Sequence, residues 1–315
     1  MEQQTIESPR LGGSGGNDPE TRARRWRVPK GGLAVALLAF AGVVIMLYPS
    51  AASWVSQYQQ SQLLISMEQT FEQSAGQPVE QGRPDPIGEE LARAHEYNDA
   101  LTGGAIVASG QNVPLSEGAG DARFDYSSLL KANDEGVMGR LRIAAISLVL
   151  PIYHGTSDDT LEKGVGHLEG TALPVGGEST HSVLTAHRGL PTAELFDRLD
   201  EVEIGDTFAI EVLRQVVVYR VIGTEVVQPD QTESLLPQYG RDLVTLVTCT
   251  PLGINSHRIL VTGERITPTP VEDIERAGSV PDIPGFPWWA VGIAAAGLLL
   301  GAGVWRAGAN PPPRE

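Results

Sequence analysis

Cysteine is almost absent from this chain, whose 315 residues contain a single one, Cys249. A lone thiol has no partner within the chain, which excludes an internal disulfide framework. Metal-ligand patterns are also missing: His154, His167 and His257 lack the spacing of metal ligands. The acidic stretch SDDTLE lacks the loop pattern of a calcium site. We therefore expect no metal and no cofactor.

Positive charge is scarce, since the formal net charge is −16, and this makes nucleic acid an unfavourable partner. Charge of either sign is missing from residues 31–48 and 283–305. A membrane-spanning helix needs about 20 mainly apolar residues, so both stretches qualify, the first only just. Arginines precede the first stretch and follow the second, so the positive-inside rule predicts cytoplasmic termini and an external central segment. The alternative for the first stretch is a cleaved signal peptide, because SAAS follows it.

The central segment changes character at about residue 136. Before that point the sequence favours two helices and a Gly-rich loop, and Asp85-Pro86-Ile87 is interpreted as a helix start. After it come six short β-branched runs separated by turn residues, which predict a closed or nearly closed β-barrel. Helical patterns are confined to residues 160–170 and 192–200. The predicted organisation is a cytoplasmic basic tail (1–30), a membrane helix (31–48), a helical segment with a loop (49–135), the barrel (136–266), a linker (267–282), a second membrane helix (283–305) and a cytoplasmic tail (306–315).

The lone thiol lies at the end of one β-rich run, in TLVTCTP. An unpaired thiol in an external, oxidising compartment is a liability unless it is buried and inert or serves chemistry. A thiol becomes a nucleophile when an imidazolium or guanidinium lies near it. His187 also ends a β-rich run, and Arg258 begins the run that follows Cys249. These three residues are candidates for one site, although a strand-end histidine is often merely solvated.

Three motifs together resemble the sortase family: TLVTC, LTAHRG and HRILVTGER. The stretch from LPIYHG to HRGLP, and the second apolar stretch near the C-terminus, resemble the class C, pilin-polymerising sortases in particular. The resemblance implies a mainly β fold, an eight-stranded sortase-type barrel with N-terminal helices and a membrane helix at each end. It also implies that Cys249 is the nucleophile, that His187 protonates the leaving amine, and that Arg258 holds the substrate and stabilises the oxyanion.

Other residues near these motifs have two interpretations each. Thr248 and Thr250 flank the thiol and are candidates for substrate binding, but threonine also suits a barrel strand for its β-branch alone. His181 lies on the same strand face as His187 if no bulge intervenes, either as a supporting substrate-binding residue or as a structural histidine. Arg188 is interpreted as a solvated side chain.

The lid of class C sortases is where the resemblance weakens. Many members carry an Asp-Pro-aromatic motif in a loop over the active cysteine. At the expected place this chain has Val113, Pro114 and Leu115, with no Asp and no aromatic residue. These residues are lid candidates, and the sequence predicts a weakly held lid or none.

The resulting functional hypothesis is a membrane-anchored cysteine transpeptidase that joins pilin subunits. Its expected partners are the membrane and pilin or surface proteins that carry a C-terminal LPxTG-like signal. One alternative is a sortase that anchors proteins to the cell wall and differs only in the accepting amine. An alternative of another class is a non-catalytic, membrane-tethered scaffold for pilus assembly. A binding module has no need of a lone thiol, which disfavours the scaffold.

Overall fold

The computed structural model describes residues 26–75, 85–101, 124–133, 135–279 and 283–309. The α-helices in these ranges are α1 (Lys30–Ala75), α2 (Pro86–Ala100), α3 (Asp158–Leu161), α4 (Val271–Glu275) and α5 (Trp288–Ala309). The strands are β1 (Val137–Ile143), β2 (Leu148–His154), β3 (Val165–His167), β4 (Thr180–Thr185), β5 (Thr207–Val212), β6 (Gln215–Val227), β7 (Asp242–Thr250) and β8 (His257–Arg265).

The eight strands close into one barrel in the order β1-β2-β3-β4-β7-β8-β6-β5. This confirms the predicted mainly β fold with an eight-stranded barrel. Closure leaves no unpaired edge strand, so backbone hydrogen bonds are satisfied around the whole circumference. Alternate side chains of each strand fill the interior, where Leu184, Val244 and Leu246 belong to one large apolar cluster. The other side chains of the same strands face outward, and this outer face carries the candidate site.

Two of the predicted helices are wrong. Within residues 160–170 the α-helix α3 ends at Leu161, and Val165–His167 instead forms β3, which pairs in parallel with β2. Glycine permits that close approach, because a Cβ on Gly164 would lie 2.7 Å from the carbonyl oxygen of Pro151. Within residues 192–200 the only regular element is the start of a single 3₁₀ turn, Leu199–Glu201. Local helical periodicity was overridden in both places by pairing and packing against the barrel.

The terminal helices are long and apolar. By length and composition, Lys30–Thr70 and Trp288–Ala309 qualify as membrane spans. Helix α1 continues through Pro49, so the predicted span and the polar helix after it form one element. Helix α2 begins as predicted, with the Asp85 carboxylate accepting a hydrogen bond from the backbone N–H of Ile87 at 3.1 Å.

Three adjacent strands position the candidate site. β4 runs parallel to β7, and Thr185 pairs with Val247 at their carboxyl ends. β7 runs antiparallel to β8, which brings Cys249 opposite Arg258. The end of β4, the end of β7 and the start of β8 therefore meet at one rim of the barrel, as is usual for functional residues carried on strand ends.

Candidate active site

The register of the strands brings the three predicted site residues into one row. Thr185 pairs with Val247, an offset of 62 positions. The same offset continues beyond the strand, since the hydroxyl of Thr248 donates to the carbonyl of Ala186 at 2.8 Å. It therefore aligns His187 with Cys249, and Cys249 is itself opposite Arg258. Cys249, His187 and Arg258 therefore lie on three adjacent segments, at matching positions of the register.

These residues share the outer face of the barrel. The same-face neighbours two positions away are Val247 for Cys249 and Leu260 for Arg258, and both lie in an outer apolar cluster with Val183. Cys249, His187 and Arg258 are each partly exposed rather than walled off.

An apolar groove leads from this row along the outer face. Its floor is formed by Val183, Val247 and Leu260, its rim includes Leu235 from the segment between β6 and β7, and Arg258 lies at one end. The groove is narrow and mostly lined by carbon atoms. It suits a short extended peptide with an apolar side chain, while the guanidinium offers donors to a peptide carbonyl.

Arg258 is held at the rim by its own turn. Its Nη1 donates to the carbonyl of Asn255 at 3.0 Å and to the carbonyl of His257 at 3.2 Å. These two bonds hold the guanidinium near the turn between β7 and β8, and the Arg258 backbone lies opposite Cys249. Among the described residues, no carboxylate forms an ion pair with Arg258, so its guanidinium can meet an anionic group at the mouth of the groove.

The two threonines beside the thiol face the other way, because side chains alternate along a strand. Thr248 is buried, and its bond to the Ala186 carbonyl ties β7 to the backbone just before His187. Thr250 accepts a hydrogen bond from Nη1 of Arg188 at 3.2 Å. Both contacts are to the protein itself, which favours supporting roles over direct substrate binding.

His181 lies at the far end of β4, paired with Leu243 at the start of β7. It is buried, and its Nδ1 donates to the carbonyl of Leu236 at 3.0 Å while its Nε2 accepts from the hydroxyl of Thr245 at 2.8 Å. Burial lowers the pKa of His181 below its ordinary value, outweighing the raising effect of the bond to Leu236. Of the two interpretations, the geometry favours the structural histidine.

Arg188 is the residue that sequence reasoning missed, and its interpretation as solvated is wrong. Its side chain is 9% exposed, and it forms an ion pair with Asp200 at 2.6 Å in addition to the bond to Thr250. The sequence carried a signal for this: Arg188 follows His187 as Thr250 follows Cys249, so a parallel pairing of the two runs aligns them as well.

The remaining candidates contribute no site geometry. Val113, Pro114 and Leu115 lie outside the described residues. Across the part of the chain that the structure describes, no cluster of three or more His, Cys, Asp or Glu side chains is arranged to hold a metal ion.

The pattern of the sortase domain matches residues 141–266 of this chain. Sortase C-1 of Actinomyces oris is 46% identical and has a TM-score of 0.53, with 58% of this chain and 99% of that chain covered. This chain belongs to the sortase family. Sortase C of Streptococcus pneumoniae, whose structure was described together with its pilin substrate specificity, is 40% identical with a TM-score of 0.54; 67% of this chain and 100% of that chain are covered. These solved relatives of the sortase are of class C.

A curated relative of the sortase is more distant. Sortase D of Bacillus subtilis (strain 168) is 33% identical over 132 residues, which is 41% of this chain and 64% of the relative. The match therefore spans less than two thirds of that relative. The class C structures are matched over nearly their whole length, and the larger share of this chain that they cover shows that the similarity to them extends beyond the barrel.

Proposed function

We propose that this sortase is a cysteine transpeptidase that cleaves an LPxTG-like sorting signal after its threonine and transfers the acyl group to a lysine of a pilin subunit. The observation that carries the proposal is the row formed by His187, Cys249 and Arg258 at the end of an apolar groove. A binding module has no use for this set, because a peptide groove functions without a thiol.

The first step forms a thioester. The Cys249 thiol transfers its proton to His187, its sulfur attacks the threonine carbonyl of the signal, and the carbonyl electron pair moves onto oxygen. The Arg258 guanidinium stabilises the resulting oxyanion, and loss of one such donor typically costs about 10²-fold or more in rate. When the carbonyl re-forms, the C–N bond to glycine breaks, and His187 donates a proton to the departing amine.

The second step reverses the roles. The acceptor amine attacks the thioester carbonyl, loses a proton to His187, and displaces the Cys249 sulfur. The product is an isopeptide bond when the amine belongs to a lysine side chain. Water gives hydrolysis instead, and a narrow apolar groove around the thioester favours the amine by limiting access of water. No step requires a metal or a cofactor.

The apolar groove supports the assignment of the donor. Val183, Val247 and Leu260 offer a surface for the leucine and proline of an LPxTG-like signal, and in this proposal the threonine carbonyl binds beside Arg258, which lines the same groove. Burial of one leucine-sized side chain contributes about 1.5–3 kcal/mol, enough to position a short peptide without holding it permanently.

The assignment of a pilin lysine as the acceptor rests on the class C relatives, among them the pneumococcal enzyme described with its pilin substrate specificity. Anchoring of surface proteins to the cell wall is the alternative, because the similarity to sortases outside class C, such as sortase D, does not identify the acceptor. The two functions share the thioester and differ in the amine that resolves it, so the acceptor decides between them.

The membrane arrangement is part of the proposal. The apolar helices near the two ends suit anchoring in a membrane. The arginines outside both apolar stretches favour cytoplasmic termini and an external catalytic segment, where sorting signals and pilins are found. In this arrangement residues 136–266 are the catalytic domain, and 267–282 link it to the second span.

The test uses the full-length sortase in detergent with a purified pilin that ends in an LPxTG-like signal. We expect a ladder of covalent pilin oligomers that survives boiling in detergent, and mass spectrometry should locate isopeptide bonds between threonine and lysine. Cys249→Ala is the control and should give no ladder. Transfer to a cell-wall peptide amine but never to a pilin lysine would support the anchoring alternative.

A further inference from the structure

The guanidinium of Arg188 connects three segments at the catalytic rim. Nη1 donates to the hydroxyl of Thr250 at 3.2 Å, Nε donates to the carbonyl of Asp197 at 3.0 Å, and Nη2 lies 2.6 Å from the carboxylate of Asp200. The Arg188 side chain is only 9% exposed, so the guanidinium is largely enclosed by its partners. All three donor nitrogens are engaged at once, which fixes the plane of the guanidinium.

The bond between Arg188 and Thr250 lies directly behind the catalytic pair. Arg188 follows His187, Thr250 follows Cys249, and both pairs keep the offset of 62 positions set by β4 and β7. Thr250 points away from the face that carries Cys249, because strand side chains alternate. One side of the rim therefore presents the imidazole and the thiol, and the opposite side presents a hydrogen bond between their chain neighbours.

The segment that carries His187 depends on such ties, because β4 ends at Thr185. Ahead of the histidine, the carbonyl of Ala186 is tied to Thr248. The carbonyl of His187 itself accepts from the backbone N–H of Phe196 at 3.0 Å. Beyond the histidine, Arg188 supplies the side-chain connection back to β7. Removing it leaves the histidine anchored to β7 from one side only.

We propose that Arg188 is a positioning residue for the transpeptidase reaction: its hydrogen bond to Thr250 sets the separation between His187 and Cys249. This inference rests on the proposed function, since the separation matters only if the histidine transfers a proton during chemistry at the thiol. A displacement of about 1 Å between reacting groups can cost about 10²-fold in rate. Lysine cannot replace Arg188, because one ammonium cannot span the carbonyl, the hydroxyl and the carboxylate in the same planar arrangement.

The kinetic test compares Arg188→Ala, Arg188→Lys and Thr250→Val with the wild-type sortase, using a fluorogenic sorting-signal peptide. We expect Arg188→Ala to lower kcat on the order of 10²-fold while KM stays within about threefold, since the groove is untouched. Thr250→Val should lower kcat by about tenfold, and Arg188→Lys should restore only part of the loss. A rise in KM at unchanged kcat would overturn the inference, because it would make Arg188 a substrate-binding residue.

The double variant Arg188→Ala/Thr250→Val tests whether the two residues act together through the bridge formed by their hydrogen bond or affect kcat independently. If Arg188 acts on the thiol segment through Thr250, Arg188→Ala with Thr250→Val should be no slower than Arg188→Ala alone. Multiplication of the two losses would contradict the bridge. The matched control is Arg198→Ala in the same loop, where a half-exposed arginine pairs with Glu201, and its kcat should equal that of the wild type.

Amide hydrogen exchange tests the bridge without a substrate. In Arg188→Ala, the backbone amides of residues 186–190 and 250–256 should lose protection together, whereas Arg198→Ala should leave both segments unchanged. Unchanged exchange in Arg188→Ala would overturn the inference. If the wild-type sortase cleaves no sorting signal, the proposed function fails, and hydrogen exchange still decides whether the bridge holds the rim.

Discussion

The outer face of strands β4, β7 and β8 carries two polar rows, one at each end of an apolar patch. The mouth row consists of His187, Cys249 and Arg258, and the far row consists of His181, Thr245 and Thr262. In the far row every polar group has a partner: the Leu236 carbonyl and the Thr245 hydroxyl bond His181, and Thr262 bonds Thr245 at 2.9 Å. Within the described residues, no hydrogen bond is made to the ring of His187.

The difference teaches how to separate a structural histidine from a catalytic candidate on one strand face. Burial lowers the pKa of His181, and both of its ring nitrogens are hydrogen-bonded within the protein, which suits a structural histidine. His187, by contrast, is partly exposed, and its ring makes no hydrogen bond to any of the described residues. Two histidines only six residues apart thus differ in burial and in hydrogen bonding.

Replacing each of the two histidines by alanine in turn should give the largest difference, with one variant losing activity and the other losing stability. His187→Ala should lower kcat by about 10³-fold with unchanged stability, because a general acid contributes about 10²–10⁴-fold. His181→Ala should keep kcat within a few-fold of the wild type. It should lower the free energy of unfolding by about 1–3 kcal/mol, because the Leu236 carbonyl and the Thr245 hydroxyl lose their partner. Peptide cleavage and urea unfolding by pulse proteolysis measure the two effects; similar kinetic losses in both variants would end the distinction.

The arginines of the two ends extend the comparison. Arg258→Ala should lower kcat/KM by about 10²-fold through loss of oxyanion stabilisation, with partial recovery in Arg258→Lys. The matched control at the far end is Arg241→Ala, which breaks a part-exposed ion pair with Glu264 and should leave cleavage unchanged. A loss in Arg241→Ala equal to that in Arg258→Ala would show that charge alone, rather than position at the mouth, supports the reaction.

Acid should destabilise the barrel through His167, a buried histidine that is not part of the candidate row. Burial lowers the pKa of His167 from 6.5 to about 4, so its neutral form is favoured in the folded state. The contribution of neutral His167 to the free energy of unfolding is therefore complete above pH 6.5. This free energy falls by about 3 kcal/mol as the pH drops from 6.5 to 4. His167→Gln, which does not titrate, should reduce the slope of unfolding free energy against pH in this window. An unchanged slope would show that groups other than His167 cause the pH dependence of stability.

The apolar patch between the rows should give the smallest effect. Leu260→Ala removes part of the groove floor and should raise KM for a sorting-signal peptide by about tenfold, corresponding to about 1.4 kcal/mol of lost burial, while kcat changes little. Steady-state kinetics of peptide cleavage measure the split. Loss of kcat at unchanged KM would mean that the peptide does not lie in this groove.

The barrel and the residues of the candidate row were predictable because both correspond to short stretches of sequence with a recognisable pattern. β-branched runs separated by turns located β1 and β4 to β8, and the motifs around His187, Cys249 and Arg258 lie at strand ends. β2 and β3 were missed. β3 has only three residues and lies in a stretch of helical periodicity, so its conformation is decided by parallel pairing with β2.

Arg188 shows that the motifs alone do not reveal the whole site until the pairing of the strands is known. Nothing local distinguishes a solvated arginine from one enclosed by Thr250, Asp197 and Asp200. The enclosure follows from the parallel pairing of β4 with β7, which aligns residues 62 positions apart. The role of His181 is similar, because its partners come from Leu236 and Thr245, and only the fold brings these to the two ring nitrogens.

Capture of the covalent intermediate tests the central claim most directly. The full-length sortase is incubated with an LPxTG-like peptide, quenched in acid, and analysed by intact-mass and peptide-mapping mass spectrometry. The account predicts one adduct, with the mass of the peptide up to its threonine, on the fragment containing Cys249; hydroxylamine should remove it, and Cys249→Ala should lack it. Cleavage of the peptide by Cys249→Ala at the wild-type rate, or an adduct on another residue, would contradict the account.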